Sequence, residues 1–164
     1  MAALRTAPEI DAIDWLNTSA PIRLADLRGR VVVMEAFQML CLGCVHHGLP
    51  QLARVAEQFE GSDVSVLGLH TVFEHHAAQG GREPLEAFLH EYRYGFPVGI
   101  DRPSEPPGGI PRTMAAYKMQ GTPTLVLVDR MGRLRRQAFG HIPDPRLGAE
   151  IMALLAEPPE ARPG

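Results

Sequence analysis

The sequence predicts an α/β domain in which a mixed central sheet carries helices on both faces. Short apolar runs typical of buried strands alternate with helix-like segments, and the chain closes with a hairpin-like stretch and a helix. With 164 residues and 45% apolar content, the chain is long enough for one domain with a sizeable core. We place this domain at residues 13–156, between a flexible N-terminus at residues 1–12 and a flexible C-terminal tail at residues 157–164.

The first half of the chain contains the strongest strand signal, a nearly continuous apolar run at residues 31–37. Such a run is expected for a central strand that is buried on both faces. The helix that follows contains Pro50, where we expect an interruption. The predicted elements of this half are an ordered anchor at 13–17, a short strand and turn at 21–29, the strand at 31–37, a helix at 45–59 and a strand at 63–69.

The second half of the chain is predicted to end in a hairpin, because strand-like segments flank a turn at Met131-Gly132. The closing helix has Asp144 as its expected N-cap and Pro145 as its first helical residue. The predicted elements of this half are a helix at 84–92, a short strand at 96–100, a Pro- and Gly-rich loop at 101–111, a short helix at 112–119, strands at 124–128 and 134–139, and a helix at 144–155.

The charge pattern gives little support for a nucleic-acid partner, because the formal net charge is −3 and the basic residues are dispersed. The one local group of arginines, within residues 130–136, flanks the hairpin turn and is predicted to be solvated. No apolar run reaches the roughly 18 residues of a transmembrane helix. The first thirty residues lack the apolar stretch of a signal peptide, so a cytoplasmic location is expected if Met1 is the natural start.

The two cysteines of the chain, Cys41 and Cys44, form a C-x-x-C motif between a predicted strand and a predicted helix. This placement puts both sulfurs on one face of the first helical turn, close enough to bridge, where the helix N-terminus stabilises a thiolate. In a reducing compartment, two cysteines are more often redox-active or metal-binding than a structural cross-link. The motif therefore predicts dithiol–disulfide exchange.

The order of the motif assigns different roles to its two thiols. Cys41 stands first, where unpaired N–H groups and the helix dipole lower the pKa of a thiol, so we expect it to be the nucleophile. Cys44 lies one turn further, is expected to be less exposed, and would act as the resolving thiol. A pair of inert buried thiols, or half of a zinc site, is the alternative. A four-cysteine zinc site is excluded because the chain has no second C-x-x-C.

A carboxyl group, Glu35, lies inside the apolar strand six residues before Cys41. Burial favours the neutral form of a carboxyl and raises its pKa. We interpret Glu35 as a group that accepts and returns the proton of Cys44, directly or through water. The alternative is a glutamate at a strand edge that faces solvent.

A proline, Pro123, follows Thr122 at the start of the predicted strand at residues 124–128. Proline at the first position of a central strand removes a backbone donor, and a cis Thr122-Pro123 peptide would account for it. A cis peptide here would turn the chain sharply and present the Thr122 backbone to a bound peptide. An ordinary trans proline is the alternative, which the C-x-x-C about 80 residues upstream makes less favoured.

The histidines raise the possibility of a metal site, because His46 and His47 follow Cys44, and His70, His75 and His76 group after the second central strand. Cysteine and histidine together are ligands for zinc and copper. A helix, however, projects two successive residues about 100° apart, so at most one of the first pair faces the thiols. We therefore expect no metal and no cofactor. His47, one turn beyond Cys44, could instead tune the thiols electrostatically.

With these residues placed, the chain resembles the thioredoxin superfamily, most closely its TlpA/ResA-like redoxin branch next to the AhpC/TSA group. The resemblance covers roughly residues 13–156. It rests on the strand–C-x-x-C–helix unit, Glu35 where thioredoxins carry a buried acid, Thr122-Pro123 where they carry the cis-proline, the hairpin around Gly132 and the last helix.

The resemblance implies a thioredoxin fold with two additions. Residues 15–18 and 24–29 resemble the N-terminal hairpin of the redoxin branch, and residues 84–119 resemble its insertion before the cis-proline strand. The resemblance also implies that a bound partner contacts residues beside the thiols and at the cis-proline, namely Leu40, Leu42, Gly43, Thr122 and Pro123.

The chain departs from the pattern of this branch at four points. Leu40 stands where most relatives carry an aromatic residue, usually Trp, and Leu42-Gly43 is neither Gly-Pro nor Pro-His. Pro50 follows Cys44 by six residues, where the usual spacing is five. The visible N-terminus carries no signal peptide, although most members of the branch work outside the cytoplasm.

The resemblance and the dithiol together imply a thiol–disulfide oxidoreductase that acts on protein dithiols and disulfides. We expect it to use an unidentified electron donor, to act as a monomer or weak dimer, and to bind neither nucleic acid nor membrane. The first alternative is a thiol peroxidase, whose related families carry a Pro-x-x-x-Thr-x-x-Cys loop. Met34 and Gln38 occupy the proline and threonine positions of that loop here. The second alternative is a metal-binding module with the same fold.

Overall fold

The structure of the protein is a computed structural model that describes residues 3–158. Within that range, the strands are β1 (Ala12–Leu16), β2 (Val31–Phe37), β3 (Val64–His70), β4 (Val98–Asp101), β5 (Thr124–Val128) and β6 (Leu134–Phe139). The α-helices are α1 (Leu49–Gln58), α2 (His76–Gln79), α3 (Arg82–Glu91), α4 (Arg112–Tyr117) and α5 (Asp144–Ala156). A 3-10 turn covers Leu24–Leu27, and a π-helical turn covers Cys44–Gly48.

The six strands form one mixed sheet in the order β1-β4-β3-β2-β5-β6. β2, β3 and β4 run parallel, whereas β1, β5 and β6 each pair antiparallel with their neighbours. All seven residues of β2 are buried, as expected for the central strand. The predicted α/β fold with a mixed sheet is confirmed.

Helices cover both faces of the sheet. On one face, α1, α3 and α5 pack on the side chains of Val31, Val33 and Phe37 of β2, and Cys44 belongs to the same core. On the other face, α4 and the segments that carry Ala7, Ile10 and Leu24 cover the alternate side chains of β2. Among the described residues, no helix combines the length and the apolar character that a membrane span requires.

The packed domain begins earlier than residue 13. Thr6 forms a β-bridge with Arg133, and the Ala7 N–H donates to the Gly132 carbonyl. Ala7 and Ile10 are buried in the core on the α4 face. We call residues 5–11 the N-terminal segment. The predicted boundary at residue 12 is therefore too late, because apolar side chains and backbone pairing hold this segment to the domain.

The strand predicted within residues 21–29 and the N-terminal hairpin predicted for residues 15–18 and 24–29 are wrong, whereas the turn predicted within residues 21–29 is present. β1 pairs with β4, which is distant in the sequence, and not with the segment that follows it in the chain. Residues 24–27 form the 3-10 turn. The carboxylate of Glu9 accepts hydrogen bonds from the Leu24 and Ala25 N–H groups, at 2.6 and 3.2 Å. These contacts satisfy the first N–H groups of the turn and so favour a turn over a strand at this point.

The other elements differ from prediction mainly at their ends. α3 begins at Arg82, two residues before Pro84, and the short helix α2 was not predicted. Asp144 is the first residue of α5 and not its N-cap, a position that Pro143 takes. Its carboxylate instead accepts hydrogen bonds from Arg54 and Gln51 of α1, which ties the last helix to the first.

Three arginines of the β5–β6 hairpin, at positions 133, 135 and 136, are paired with carboxylates, whereas Arg130 donates to the Glu157 carbonyl. Arg133 and Arg135 donate to the buried carboxylate of Asp129, and Arg135 also donates to Glu157. Arg136 pairs with Glu150 of α5. Glu157, the first residue of the predicted flexible tail, is thus held against the hairpin. Residues 1–2 and 159–164 of the two predicted flexible termini lie outside the described residues.

Candidate active site

Cys41 and Cys44 lie at the point where the chain leaves the central strand and enters a helix. The two cysteines are joined by a disulfide, with their Cα atoms 5.2 Å apart. Cys41 is partly exposed, whereas Cys44 is 0% exposed and packs in the core beneath the helix. The Cys44 N–H donates to the Cys41 Sγ atom over 3.3 Å. A hydrogen bond of this kind favours the thiolate form of Cys41 once the disulfide is reduced.

The helix that carries Cys44 begins at Leu42, widens into the π-helical turn Cys44–Gly48 and continues as α1. The Leu49 N–H donates to the Cys44 carbonyl, which is the five-residue step of a π-helix. Pro50 has no N–H, and its ring would clash with the carbonyl of residue 46 in a regular α-helix. A wider turn before Pro50 relieves this clash and accommodates the additional residue between Cys44 and Pro50. The predicted interruption at Pro50 is therefore a π turn on its N-terminal side.

Glu35 lies in the middle of β2 and is buried beneath the π turn. Burial raises the pKa of its carboxyl from the ordinary 4.5 to about 8. The glutamate at a solvent-facing strand edge, the alternative reading, does not fit this burial. A carboxyl with this pKa is largely protonated at neutral pH and can exchange a proton near pH 7–8.

Gly48 lets the helix approach Glu35 and Pro123 closely. A Cβ atom at Gly48 would lie 2.5 Å from Glu35 Oε1 and 3.1 Å from Pro123 Cβ. Gly48 is one helical turn beyond Cys44, so the carboxyl lies under the same turn that holds the buried thiol. Sequence reasoning missed Gly48; its signal was a glycine inside a segment predicted to be helical.

The Thr122-Pro123 peptide is cis, as predicted. The Thr122 carbonyl oxygen lies 3.5 Å from Cys41 Sγ. A Cβ at Gly43 would lie 3.2 Å from Pro123 Cδ, so the proline ring also packs against the first turn of the helix. The structure thus brings together six predicted site residues: Cys41, Cys44, Glu35, Gly43, Thr122 and Pro123.

Exposed apolar side chains flank Cys41 in the chain and lie beside the segment that carries the cis-proline. Leu40 is 54% exposed and Leu42 is 74% exposed, beside Cys41 in the chain. The exposed ring of Phe139 covers Gly121, where a Cβ would lie 2.9 Å from the ring. Phe139 was missed by sequence reasoning. The hairpin register places it opposite Thr124, next to Pro123, and could have found it.

Two buried glutamines near the thiols were also missed as site residues. Gln38 and Gln79 are both fully buried and hydrogen-bonded to each other. The sequence distinguishes Gln38 only as the residue at the position where a peroxidase loop carries threonine. Glutamine is common in exposed loops, so the sequence alone does not indicate that these two side chains are buried and belong to the site.

The histidines do not gather around the thiols. His46 and His47 are exposed on the π turn, and the His47 ring lies 5.0 Å from that of His141. His70 is buried at the end of β3, against the ring of Phe37. Among residues 3–158, no group of three or more His, Cys, Asp or Glu side chains is arranged to hold a metal ion.

A strand–C-x-x-C–helix unit, a cis-proline facing it and a buried acid beneath it, on this sheet, define the class of this protein as thioredoxin-like, with a dithiol site. A sequence profile described as the AhpC/TSA family matches residues 4–137. The chain belongs to the AhpC/TSA family.

Solved structures and a curated relative are similar to this chain. The crystal structure of a thioredoxin-like superfamily protein is 54% identical, with a TM-score of 0.90 over 95% of this chain and 99% of that one. The structure of a thiol-disulfide isomerase from Corynebacterium glutamicum is 44% identical, with a TM-score of 0.86 over 93% of this chain and 98% of that one.

The protein DipZ of Mycobacterium bovis is 27% identical over 141 residues, which is 82% of this chain and 18% of DipZ. The chain spans less than a fifth of the length of each of the curated relatives that it matches first.

Proposed function

We propose that this protein exchanges dithiols and disulfides with protein partners, with Cys41 as the nucleophile and Cys44 as the resolving thiol. The observation that carries the proposal is the unequal exposure of the two sulfurs. Cys41 is partly exposed and receives the Cys44 N–H, whereas Cys44 is buried. A partner sulfur can reach the first thiol and not the second, so attack begins at Cys41.

The exchange balances in two steps when the protein acts as a reductant. The Cys41 thiolate attacks one sulfur of the partner's disulfide, and the other partner sulfur leaves as a thiolate. The Cys44 thiolate then attacks Cys41 Sγ, which releases the second partner thiolate and forms the Cys41–Cys44 disulfide. Two electrons pass to the partner, and an external dithiol donor restores the reduced form. The same steps in reverse oxidise a partner.

In this scheme Glu35 handles the proton of the buried thiol. Cys44 has to lose a proton to attack Cys41, and its surroundings are apolar. The Glu35 carboxyl lies under Gly48, one turn along the helix, and burial raises its pKa to about 8. It can accept the Cys44 proton directly or through a water molecule and return it in the reverse reaction.

The surroundings of Cys41 support a polypeptide as partner. Leu40, Leu42 and Phe139 provide exposed apolar surface, and the Thr122 carbonyl can accept a hydrogen bond from an extended chain. The relative from Corynebacterium glutamicum, named a thiol-disulfide isomerase, is similar over nearly its whole chain.

The substitution Cys44→Ser tests the order of the two thiols. Without the resolving thiol, the mixed disulfide at Cys41 cannot be released, so we expect the reduced variant to form a stable covalent adduct with a disulfide substrate such as insulin. Peptide mapping by mass spectrometry should locate the adduct at Cys41. The matched variant Cys41→Ser should form little adduct, because its remaining thiol is buried.

The roles are reversed if Cys41→Ser accumulates the adduct and Cys44→Ser does not. A redox titration of the unmodified protein, read by thiol alkylation, provides the independent check. A failure to form the intramolecular disulfide would overturn exchange altogether. In that case peroxide turnover and bound metal become the next measurements, since they test the peroxidase and the metal-binding module.

A further inference from the structure

Beside the dithiol, two fully buried side-chain amides cross-link the chain segments that flank Cys41. Gln38 is 1% exposed and follows β2 directly, and Gln79 is 0% exposed at the end of α2. A buried amide is costly unless it is hydrogen-bonded, so their partners matter.

Gln38 connects the end of β2 with two loops. Its Oε1 atom accepts from the Phe73 and Glu74 N–H groups at 3.2 and 3.1 Å and from Gln79 Nε2 at 3.1 Å. Its Nε2 atom donates to Thr122 Oγ1 at 3.2 Å. One side chain therefore links the residues after β3 to the residue that precedes the cis-proline.

Gln79 completes the link on the thiol side. Its Oε1 atom accepts the Leu40 N–H at 2.9 Å, and its Nε2 atom also donates to the Glu74 carbonyl at 2.7 Å. Leu40 is the residue directly before Cys41. His75, in the left-handed region with φ 49°, starts the short helix that brings Gln79 inward.

From this geometry we infer that Gln38 and Gln79 are a positioning pair for thiol–disulfide exchange, which sets Cys41 against the Thr122 carbonyl that a partner chain meets. The inference rests on the proposed function. Gln79 fixes the backbone on the N-terminal side of Cys41, and Gln38 fixes the hydroxyl of Thr122, whose carbonyl lies 3.5 Å from Cys41 Sγ. Neither amide touches the sulfur itself among the contacts of the structure.

The reaction explains why such a pair matters. In the attack, Cys41 Sγ and the two sulfurs of the partner's disulfide have to lie in a line. The partner's backbone therefore has to be held at a fixed distance and orientation relative to Cys41. The contact of Gln79 with Leu40 and the contact of Gln38 with Thr122 are joined by the amide–amide hydrogen bond. The Glu74 backbone, which bonds to both amides, joins them as well. If the pair is lost, Cys41 keeps its helix N-terminus and its reactivity as a thiol, but a docked chain no longer meets it in line.

The test uses Cys44→Ser as background, so that attack at Cys41 is measured alone. The reaction rates are compared for insulin, which must dock, and for the small aromatic disulfide 5,5′-dithiobis(2-nitrobenzoate), which need not. With Gln38→Met or Gln79→Met, we expect the insulin rate to fall by about 10-fold or more, while the small-disulfide rate changes little. The double variant should fall no further than either single variant, because the two amides act as a unit.

Gln51→Met provides the matched control. Gln51 is buried in α1 and donates to the Ile142 carbonyl and to Asp144, away from the thiols. Its loss should lower stability and leave the ratio of the two rates unchanged. Gln38→Glu keeps an acceptor for the Phe73 and Glu74 N–H groups but has no N–H to donate to Thr122 Oγ1. Its rate with insulin should therefore stay below the rate of the Cys44→Ser background.

The outcomes separate this inference from the proposed function. If the Cys44→Ser background itself does not react with insulin, the proposed function fails and the pair has nothing to position. If the background reacts and the glutamine variants keep its rate ratio, or Gln51→Met lowers that ratio equally, the positioning role is overturned and the proposed function stands. Equal falls with both disulfides also overturn it, because they show a general loss of thiol reactivity.

Discussion

At the scale of single residues, Glu35 shows most clearly how burial changes chemistry. Its carboxyl lies in a strand whose seven residues are all buried, and its pKa rises to about 8 for that reason. The unfolded chain ionises the same group near 4.5. The same desolvation that prepares Glu35 to exchange a proton therefore makes the folded protein lose stability as the pH rises from 4.5 to about 8.

The substitution Glu35→Gln should slow the resolving step and spare the attacking step. In single-turnover mixing at pH 7, we expect release of the second partner thiol to slow by about 100-fold, the scale of a lost general base. Formation of the mixed disulfide at Cys41 should stay largely unchanged. Equal slowing of both steps would argue against Glu35 as the proton acceptor of Cys44.

The same variant should also change how stability depends on pH. Between pH 4.5 and about 8 the unfolded chain loses the Glu35 proton and the folded protein keeps it, so stability falls as pH rises. In urea unfolding of the oxidised protein, Glu35→Gln should remove a slope approaching about 1.4 kcal/mol per pH unit. Glu57→Gln, at an exposed position of α1, should retain the wild-type slope.

A site residue can be predicted from the sequence when its residue type is unusual for the strand, helix or loop in which it lies. Two cysteines at a strand–helix junction, a glutamate in an apolar run and a proline before a strand all stand out, and the structure brings them together. Gln38 and Gln79 do not stand out, because glutamine is ordinary in a polar loop. Only their burial, which depends on segments distant in sequence, shows that they differ.

At the scale of elements, the π turn Cys44–Gly48 sets the distance between the helix and the sheet. Its wide backbone lies directly over Glu35 and Pro123, and only a glycine at position 48 leaves room for them. Sequence reasoning found the helix and its proline but not the widened turn. The position of the extra residue is fixed by contacts with β2 and the cis-proline, which are not local.

The substitution Gly48→Ala should destabilise the protein despite alanine's better helix propensity. Its Cβ would meet Glu35 Oε1 at 2.5 Å and Pro123 Cβ at 3.1 Å, so backbone or side chains have to shift. Overpacking of this kind costs about 1–3 kcal/mol, which exceeds the roughly 1 kcal/mol gained by removing a helical glycine. Urea unfolding of the oxidised protein measures the difference.

Gly148→Ala in α5 is the matched control, because nothing lies within 4 Å of a Cβ at that position. It should stabilise the protein by about 0.4–1 kcal/mol. A stabilising Gly48→Ala would show that the π turn can move away from Glu35 without loss.

Local sequence patterns predict a helix or strand correctly only when no residue distant in the sequence forms hydrogen bonds that favour another conformation there. β5 and β6 form with the predicted bounds, because the turn at Gly132 and the apolar pattern agree. Residues 24–27 form a turn and not a strand because Glu9, fifteen residues earlier, caps their N–H groups. α4 likewise begins where Asp101 of β4 accepts from the Thr113 and Met114 N–H groups.

At the scale of the whole molecule, Glu35 and His70 make stability depend on pH in opposite directions. Both ring nitrogens of His70 are buried without a hydrogen-bond partner among residues 3–158, and burial lowers the pKa of the ring from 6.5 to about 4. The stability linked to neutral His70 is complete above pH 6.5 and is lost as pH falls towards 4. The two slopes oppose each other between pH 4.5 and 6.5, and of these two groups only Glu35 acts between pH 6.5 and about 8.

The substitution His70→Leu should therefore make the protein more resistant to acid. It replaces an unpaired buried ring with an apolar side chain, so the loss of stability between pH 6.5 and 4 should become shallower. Unfolding curves across this range provide the measurement. His90→Leu, at an exposed position of α3, should leave the acid slope as it is; the same change in both variants would exclude His70 as its source.

The N-terminal segment has a further consequence for how the chain assembles. Residues 5–7 pair beside the start of β6, whereas β1, which follows directly, lies at the opposite edge of the sheet. Between them the Pro8 carbonyl accepts from the Tyr117 hydroxyl, 109 residues away in the chain. Residues 5–7 can therefore dock only after residues 132–134, more than 120 positions later in the sequence, have been made. This pairing is a contact of long sequence separation, and Ala7 and Ile10 of the segment are exposed to solvent until it forms.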